Sequence, residues 1–145
     1  MARLRVSTTL SATPAVVWAD LADVSSHVGW MRDAVAVRFV TAAHQGVGTQ
    51  FDCDTNVGPF RLTDRMEITR WDPNSAMGVR HTGIVTGEGV FTLRARRGGR
   101  TRFTWNERLR FPWWMGGPVG AWLSVPVLTA VWRRSLRNLA ARFEL

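Results

Sequence analysis

From Phe111 to Trp132 the chain carries no charge, and Arg133 and Arg134 follow at once. That stretch is long enough to span a bilayer, so the first question is whether it is an anchor or half of a core helix. The residues beyond the charge boundary answer it. Ala121, Val125, Leu128, Trp132, Leu136, Leu139 and Phe143 recur at steps of three and four, the period of a helix with one buried face. The stripe runs on to the end of the chain while Arg133, Arg134, Arg137 and Arg142 fall off its apolar side. A spanning helix needs no such stripe, and Gly116, Gly117, Pro118, Gly120 and Pro126 suit one poorly. The pattern predicts a long C-terminal helix laid against a sheet, and no transmembrane segment. The first half of that helix is apolar all round, because Val119, Leu123 and Val127 lie opposite the stripe. Packing beneath the Trp113-Trp114 loop is the expected cover, a dimer contact the second, and a peripheral membrane contact at a pocket mouth the third.

The rest of the chain reads mainly as strands. Leu4, Val6, Thr8 and Leu10 alternate with Arg3, Arg5, Ser7 and Thr9, giving an opening strand. Thr13-Pro14 then starts a helix, with Thr13 as N-cap and Val17, Trp18 and Leu21 on its buried side. A short second helix is expected over Ser26–Met31. Alternation then returns in Val35–Phe39, Phe51–Val57, Phe60–Trp71, Met77–His81, Val85–Arg96 and Thr101–Phe111, with Arg97-Gly98-Gly99-Arg100 as the last hairpin turn. No repeat or low-complexity linker interrupts residues 1–145, which read as one domain. An antiparallel sheet with a helix across its concave face follows from how such elements bury their apolar sides.

Composition narrows the classes. Hydrophobic residues make 46% of the chain, enough for a real core. The net charge is +8 with 19 basic residues, every one arginine, but they alternate with other residues as on a solvated strand face. No arginine run, zinc motif or recognition-helix pattern accompanies them, so a nucleic-acid partner is not expected. Cys53 is the sole cysteine, which fits a reducing, cytoplasmic setting, and the N-terminus has no apolar signal segment. His27, His44 and His81 stand at no ligand spacing, and no metal or cofactor is expected. Gly87 and Gly89 sit within a strand, where a close backbone approach explains them better than a nucleotide does. His27 reads as an exposed residue at the end of a short helix.

Strand parity nominates chemistry. Asp64 shares a face with Phe60, Leu62, Met66 and Ile68, and Glu107 shares one with Phe103, Trp105, Leu109 and Phe111. His81 shares parity with Met77 and Val79. An ionisable group on an apolar face costs several kcal/mol unless it is matched or neutralised. Glu107, Asp64 and His81 are therefore the candidate catalytic or polar-anchor residues, provided that no bulge inverts their parity.

The order of elements also resembles a known family. Ala12-Thr13-Pro14-Ala15-Val16-Val17-Trp18 and Trp30-Met31, Gly46-Val47-Gly48-Thr49, Ile68-Thr69-Arg70-Trp71-Asp72-Pro73, and Gly98-Gly99-Arg100-Thr101-Arg102 are similar to motifs of the START-like helix-grip superfamily, in its polyketide cyclase/dehydrase and lipid-transport (SRPBCC) branch. The resemblance implies an α+β helix-grip fold, with about six to seven curved antiparallel strands wrapped on a long C-terminal helix and two short helices after strand 1. It implies an internal cavity for a hydrophobic small molecule such as a lipid or polyketide, bound or carried, and in some members cyclised or dehydrated. The expected lining is Phe51, Leu62, Met66 and Val79 from the middle strands, and Phe91, Phe103 and Trp105 from the later ones. Val125 and Trp132 come from the helix, and Trp113 and Trp114 from the lid before it. A carrier, a cyclase using Glu107 or Asp64 as base, and an interaction module using the apolar helix half remain the three functional readings, as monomer or homodimer.

Overall fold

A computed structural model describes residues 2–144. The chain runs β1 (Ala2–Leu10), α1 (Pro14–Leu21), a 3-10 turn (Val24–Gly29), β2 (Ala34–Phe39), β3 (Gln50–Val57), β4 (Phe60–Asp72), β5 (Ala76–Thr82), β6 (Thr86–Arg96), β7 (Arg100–Arg110), a second 3-10 turn (Trp113–Met115) and α2 (Gly117–Ala141). All seven strands join one curved antiparallel sheet in the order β1-β7-β6-β5-β4-β3-β2. Consecutive strands pair from β2 to β7, and β1 closes the far edge against β7. This is the α+β helix-grip architecture.

Local chemistry sets the boundaries. Thr13 caps α1 by accepting the Val16 amide at 3.4 Å, and Pro14 begins the helix, where its missing N–H costs nothing. The short helix expected over Ser26–Met31 forms instead as the 3-10 turn Val24–Gly29, too brief to close a regular α-helical ladder. β4 keeps one parity from Phe60 to Ile68. A bulge between Ile68 and Arg70 then turns Trp71 inward, where it meets Trp18 edge-on at 5.1 Å.

The helix α2 lies over β1 and divides into two halves with different duties. Trp132, Ser135, Leu136 and Leu139 of its second half are buried, in one core with Leu4, Val6, Leu10 and Phe103. Burying each such leucine contributes about 1.5–3 kcal/mol. Polar contacts lock this half in place. Ser135 Oγ accepts the Arg32 amide at 2.8 Å, Asn138 donates to the Trp30 carbonyl at 3.3 Å, and Arg142 grips Asp20 of α1 through two nitrogens at 2.8 and 2.6 Å. The first half has no such clamp. Val119, Trp122, Leu123 and Val127 are exposed, and so are Trp113 and Trp114, at 87% and 58%. The expected cover beneath the tryptophan loop is therefore absent, because Trp113 turns outward instead of folding over the helix. Among the described residues, no helix is long and apolar enough to cross a membrane.

Candidate functional site

Between the curved sheet and α2 lies a cavity of ≈ 1070 Å³. That is just above the range of about 300–1,000 Å³ usual for small-molecule sites. Trp132 of α2 lies in its wall, and Trp30 is buried behind that wall against Phe91, Phe103 and Trp105. Its mouth is rimmed by exposed apolar side chains: Phe60 at the start of β4, Ile84 from the β5–β6 turn, Trp114, and Leu123 and Val127 from α2.

Phe51, Leu62, Met66, Val79, Phe91, Trp105, Trp114 and Trp132 all lie in the wall. Three expected lining residues do not. Phe103 is fully buried behind the wall against Trp30 and Phe91, since parity fixes the face of a strand but not the depth along it. Val125, on α2, packs against the core, and Trp113 points to solvent.

Glu107, Asp64 and His81 all face the cavity, and all three are buried. Glu107 stands on β7 and His81 on β5, with β6 between them, so roughly 9–10 Å of sheet separates their backbones. The inward positions of β6 between them are Gly87 and Gly89, paired across the sheet with His81 and Glu107 respectively. Over this bare backbone Glu107 Oε2 reaches His81 Nε2 at 3.2 Å. A Cβ on Gly89 would stand 2.7 Å from Glu107 Oε1, so a glycine is needed there for the two groups to meet. Glu107 Oε1 also accepts Trp105 Nε1 at 3.0 Å. Trp105 stacks on Trp132 with ring centres 4.3 Å apart and an 11° tilt, and Trp132 Nε1 donates to Asp33 Oδ2 at 3.3 Å. Two stacked indoles thus join two carboxylates.

The cluster is only partly satisfied. The His81–Glu107 contact lacks hydrogen-bond alignment, and Asp64 Oδ1, Glu107 Oε2 and both nitrogens of His81 have no hydrogen-bond partner. Burial disfavours the His81 imidazolium, but Glu107, with Asp64 and Asp33 behind it, outweighs burial and lifts its pKa above the ordinary value. Burial raises the pKa of Asp64, partly offset by His81 and further raised by Glu107 and Asp33; burial also raises that of Asp33, offset chiefly by the Trp132 N–H. Burial pushes the Cys53 thiol up to about 11, which leaves it inert in the wall. A hydrogen-bonding, proton-exchanging site is what such a set can provide in an apolar space.

Asp33 and His27 are wall residues that escape sequence reasoning. Asp33 lies just before β2, outside any periodic segment. His27 is buried rather than exposed, because its Nε2–H donates to the Leu21 carbonyl at 2.9 Å and its ring packs on Trp30 and Phe91. Burial lowers its pKa and keeps it neutral. Proximity to Trp30-Met31, itself singled out, was the available signal. Among the described residues, no group of three or more histidine, cysteine or acidic side chains is arranged to hold a metal.

The model of the family described as "Polyketide cyclase / dehydrase and lipid transport" matches residues 1–144. Among solved structures, the chain is similar to the protein TTHA0849 of Thermus thermophilus at TM-score 0.80 and 16% identity, covering 97% of this chain and 96% of that one. It is similar to a START superfamily protein from Mycobacterium smegmatis at TM-score 0.79 and 9% identity, covering 99% and 97%. A Streptomyces aromatase/cyclase, Zhui, gives TM-score 0.72 and 19% identity over 97% and 92%. At these identities the likeness is one of fold. No protein of curated function matches the chain in sequence.

Proposed function

Since the chain belongs to the polyketide cyclase / dehydrase and lipid transport family, we propose that it binds a hydrophobic small molecule, such as a lipid or polyketide, inside this cavity. The observation that carries the reading is the ≈ 1070 Å³ space itself, walled mainly by aliphatic and aromatic side chains and opening through an apolar rim. An interaction module working through the surface of α2 would need no such void. Binding would proceed by desolvation of the apolar body of the ligand, with Asp64, His81, Glu107 and Asp33 setting the orientation of its polar end. The exposed rim at Trp114, Leu123 and Val127 offers an entry path for a molecule poorly soluble in water, whether from a membrane surface or from a protein donor.

Native mass spectrometry of the purified protein, followed by denaturing extraction, tests this. The expected result is a retained apolar molecule of defined mass that disappears in Val79→Trp, where the larger ring fills the wall. An empty wild type, or equal retention by the filled variant, would count against a cavity ligand.

A second reading is favoured by one observation, the His81–Glu107 contact at 3.2 Å with Asp64 nearby. These groups could relay a proton to and from a carbonyl-bearing ligand, as a cyclase or dehydratase requires. Glu107→Gln separates the readings. Loss of turnover of the extracted ligand with binding kept supports catalysis; persistence of both removes it.

A further inference from the structure

The polar groups of the cavity are unbalanced in sign. Three carboxylates, Asp33, Asp64 and Glu107, face it, against one imidazole, His81, which lies against Glu107. His27 is committed to the Leu21 carbonyl, and Cys53 is a thiol. Among the described residues, Arg61 is the one arginine of the lining, and it stands exposed at the mouth, by Phe60. Two acceptor atoms are both buried and without a partner, Asp64 Oδ1 and Glu107 Oε2. Both nitrogens of His81 are likewise unpartnered, but the carboxylates outnumber that one imidazole in this apolar space.

Resting on the cavity-binding reading above, we infer that the ligand's head group is a protonated amine, seated against Asp64 and Glu107 with its apolar body toward the mouth. An ammonium offers three N–H donors and no acceptor, which suits open carboxylate oxygens. Its burial is costly unless it is paired, and the cavity provides the pairing. A hydroxyl head brings one donor and no charge, so it satisfies less of the cluster. A carboxylate head would add a further negative charge beside Asp33, Asp64 and Glu107, where low dielectric magnifies repulsion. The inference is thus an order of preference: amine, then alcohol, then carboxylic acid, at equal chain length.

The test uses the full chain and three simple probes, decylamine, decanol and decanoate, each displacing the uncharged dye Nile red at neutral pH. Decylamine should bind at least about ten-fold more tightly than decanol, since one charge-assisted contact contributes on the order of 1.5–3 kcal/mol, and decanoate should bind most weakly. Asp64→Asn should bring decylamine to the affinity of decanol. Glu107→Gln, which keeps an oxygen for Trp105, should do the same and serves if the first variant does not fold. Equal affinities for the three probes, a preference for decanoate, or an amine preference that survives both substitutions would overturn the inference while leaving cavity binding intact. Failure of Nile red itself to bind would instead defeat the cavity reading, and this inference with it.

Discussion

Ionisable residues on the two faces of the sheet live under opposite rules. On the outer face of β2–β5, carboxylates meet arginines across the strands: Arg38 with Asp54 at 2.6 Å, Arg65 with Asp52 at 2.5 Å, and Arg80 with Glu67. Every one of these residues reaches water, which screens the pairs and makes each worth little. On the inner face, Asp64, His81 and Glu107 are shut away from water and are only partly matched. The outer pairs are a dispensable decoration of a solvated surface. The inner cluster costs stability, and a fold retains such a cost where the groups have work to do in the cavity.

The largest break in this comparison comes from removing one member of the inner pair. Glu107→Ala strands His81 and the Trp105 N–H together, and a loss of about 3–5 kcal/mol in urea unfolding is expected. Replacing both partners, as His81→Leu with Glu107→Met, should cost less than Glu107→Ala, because only the Trp105 N–H is then left without its partner. A double variant as unstable as the sum of the singles would show that the pair stabilises the fold rather than taxing it.

A smaller break leaves both partners in place. Gly89→Ala puts a methyl 2.7 Å from Glu107 Oε1 and must push the carboxylate off its path to His81. We expect a loss of about 1–3 kcal/mol, together with a flattened pH profile. The profile follows from the shifts. Folded His81 titrates above 6.5, so its contribution is complete below pH 6.5 and is lost as pH rises through the folded value. The raised Asp64 and Asp33 act in the same direction, favouring the protonated, lower-pH fold. The lowered His27 has the opposite sign, but its contribution is already complete at pH 6.5. Cys53 adds nothing until the unfolded thiol ionises near 9.0. Between pH 6.5 and 9 the Tm of the wild type should therefore fall, and the fall should be smaller in Gly89→Ala and in Glu107→Gln. A Tm that rises over this interval would contradict the electrostatics of the cluster.

The outer face should respond least. Asp54 is held down to about 2 by Arg38 and Thr63, so its contribution is present above 3.8 and fades as pH falls toward 2. Asp54→Asn should alter the acid limb of the melting profile and leave the neutral Tm within replicate scatter. On the β1-β7-β6 side, arginines oppose each other across strands, as Arg94 does Arg102 and Arg96 does Arg100. Arg94→Glu should raise stability by about 0.2–1 kcal/mol, an effect that salt erases.

Much of this is legible in the sequence. The stripe from Ala121 to Phe143 identified α2 because a helix half buried on one side must repeat its apolar residues at that period. Asp64, His81 and Glu107 were visible because the β4 bulge comes after Ile68, which leaves parity intact over the positions that matter. Parity has no depth coordinate, so Phe103 and Trp105 looked alike although one is behind the wall and the other in it. Asp33 and His27 belong to short irregular segments with no period to read. That Gly87 and Gly89 open a path between Glu107 and His81 depends on the pairing of β5, β6 and β7, which becomes explicit only in the register. Nor could the sequence say that Trp113 faces solvent, since nothing local fixes the direction of a side chain in a loop.

The proposed function puts an apolar molecule in the space between sheet and helix. A Nile red titration of the wild type beside Val79→Trp tests it most directly. A saturable, blue-shifted signal with one site per chain is expected in the wild type, abolished in the filled but still folded variant. An unchanged titration in Val79→Trp, or no saturable signal in either protein, would contradict it.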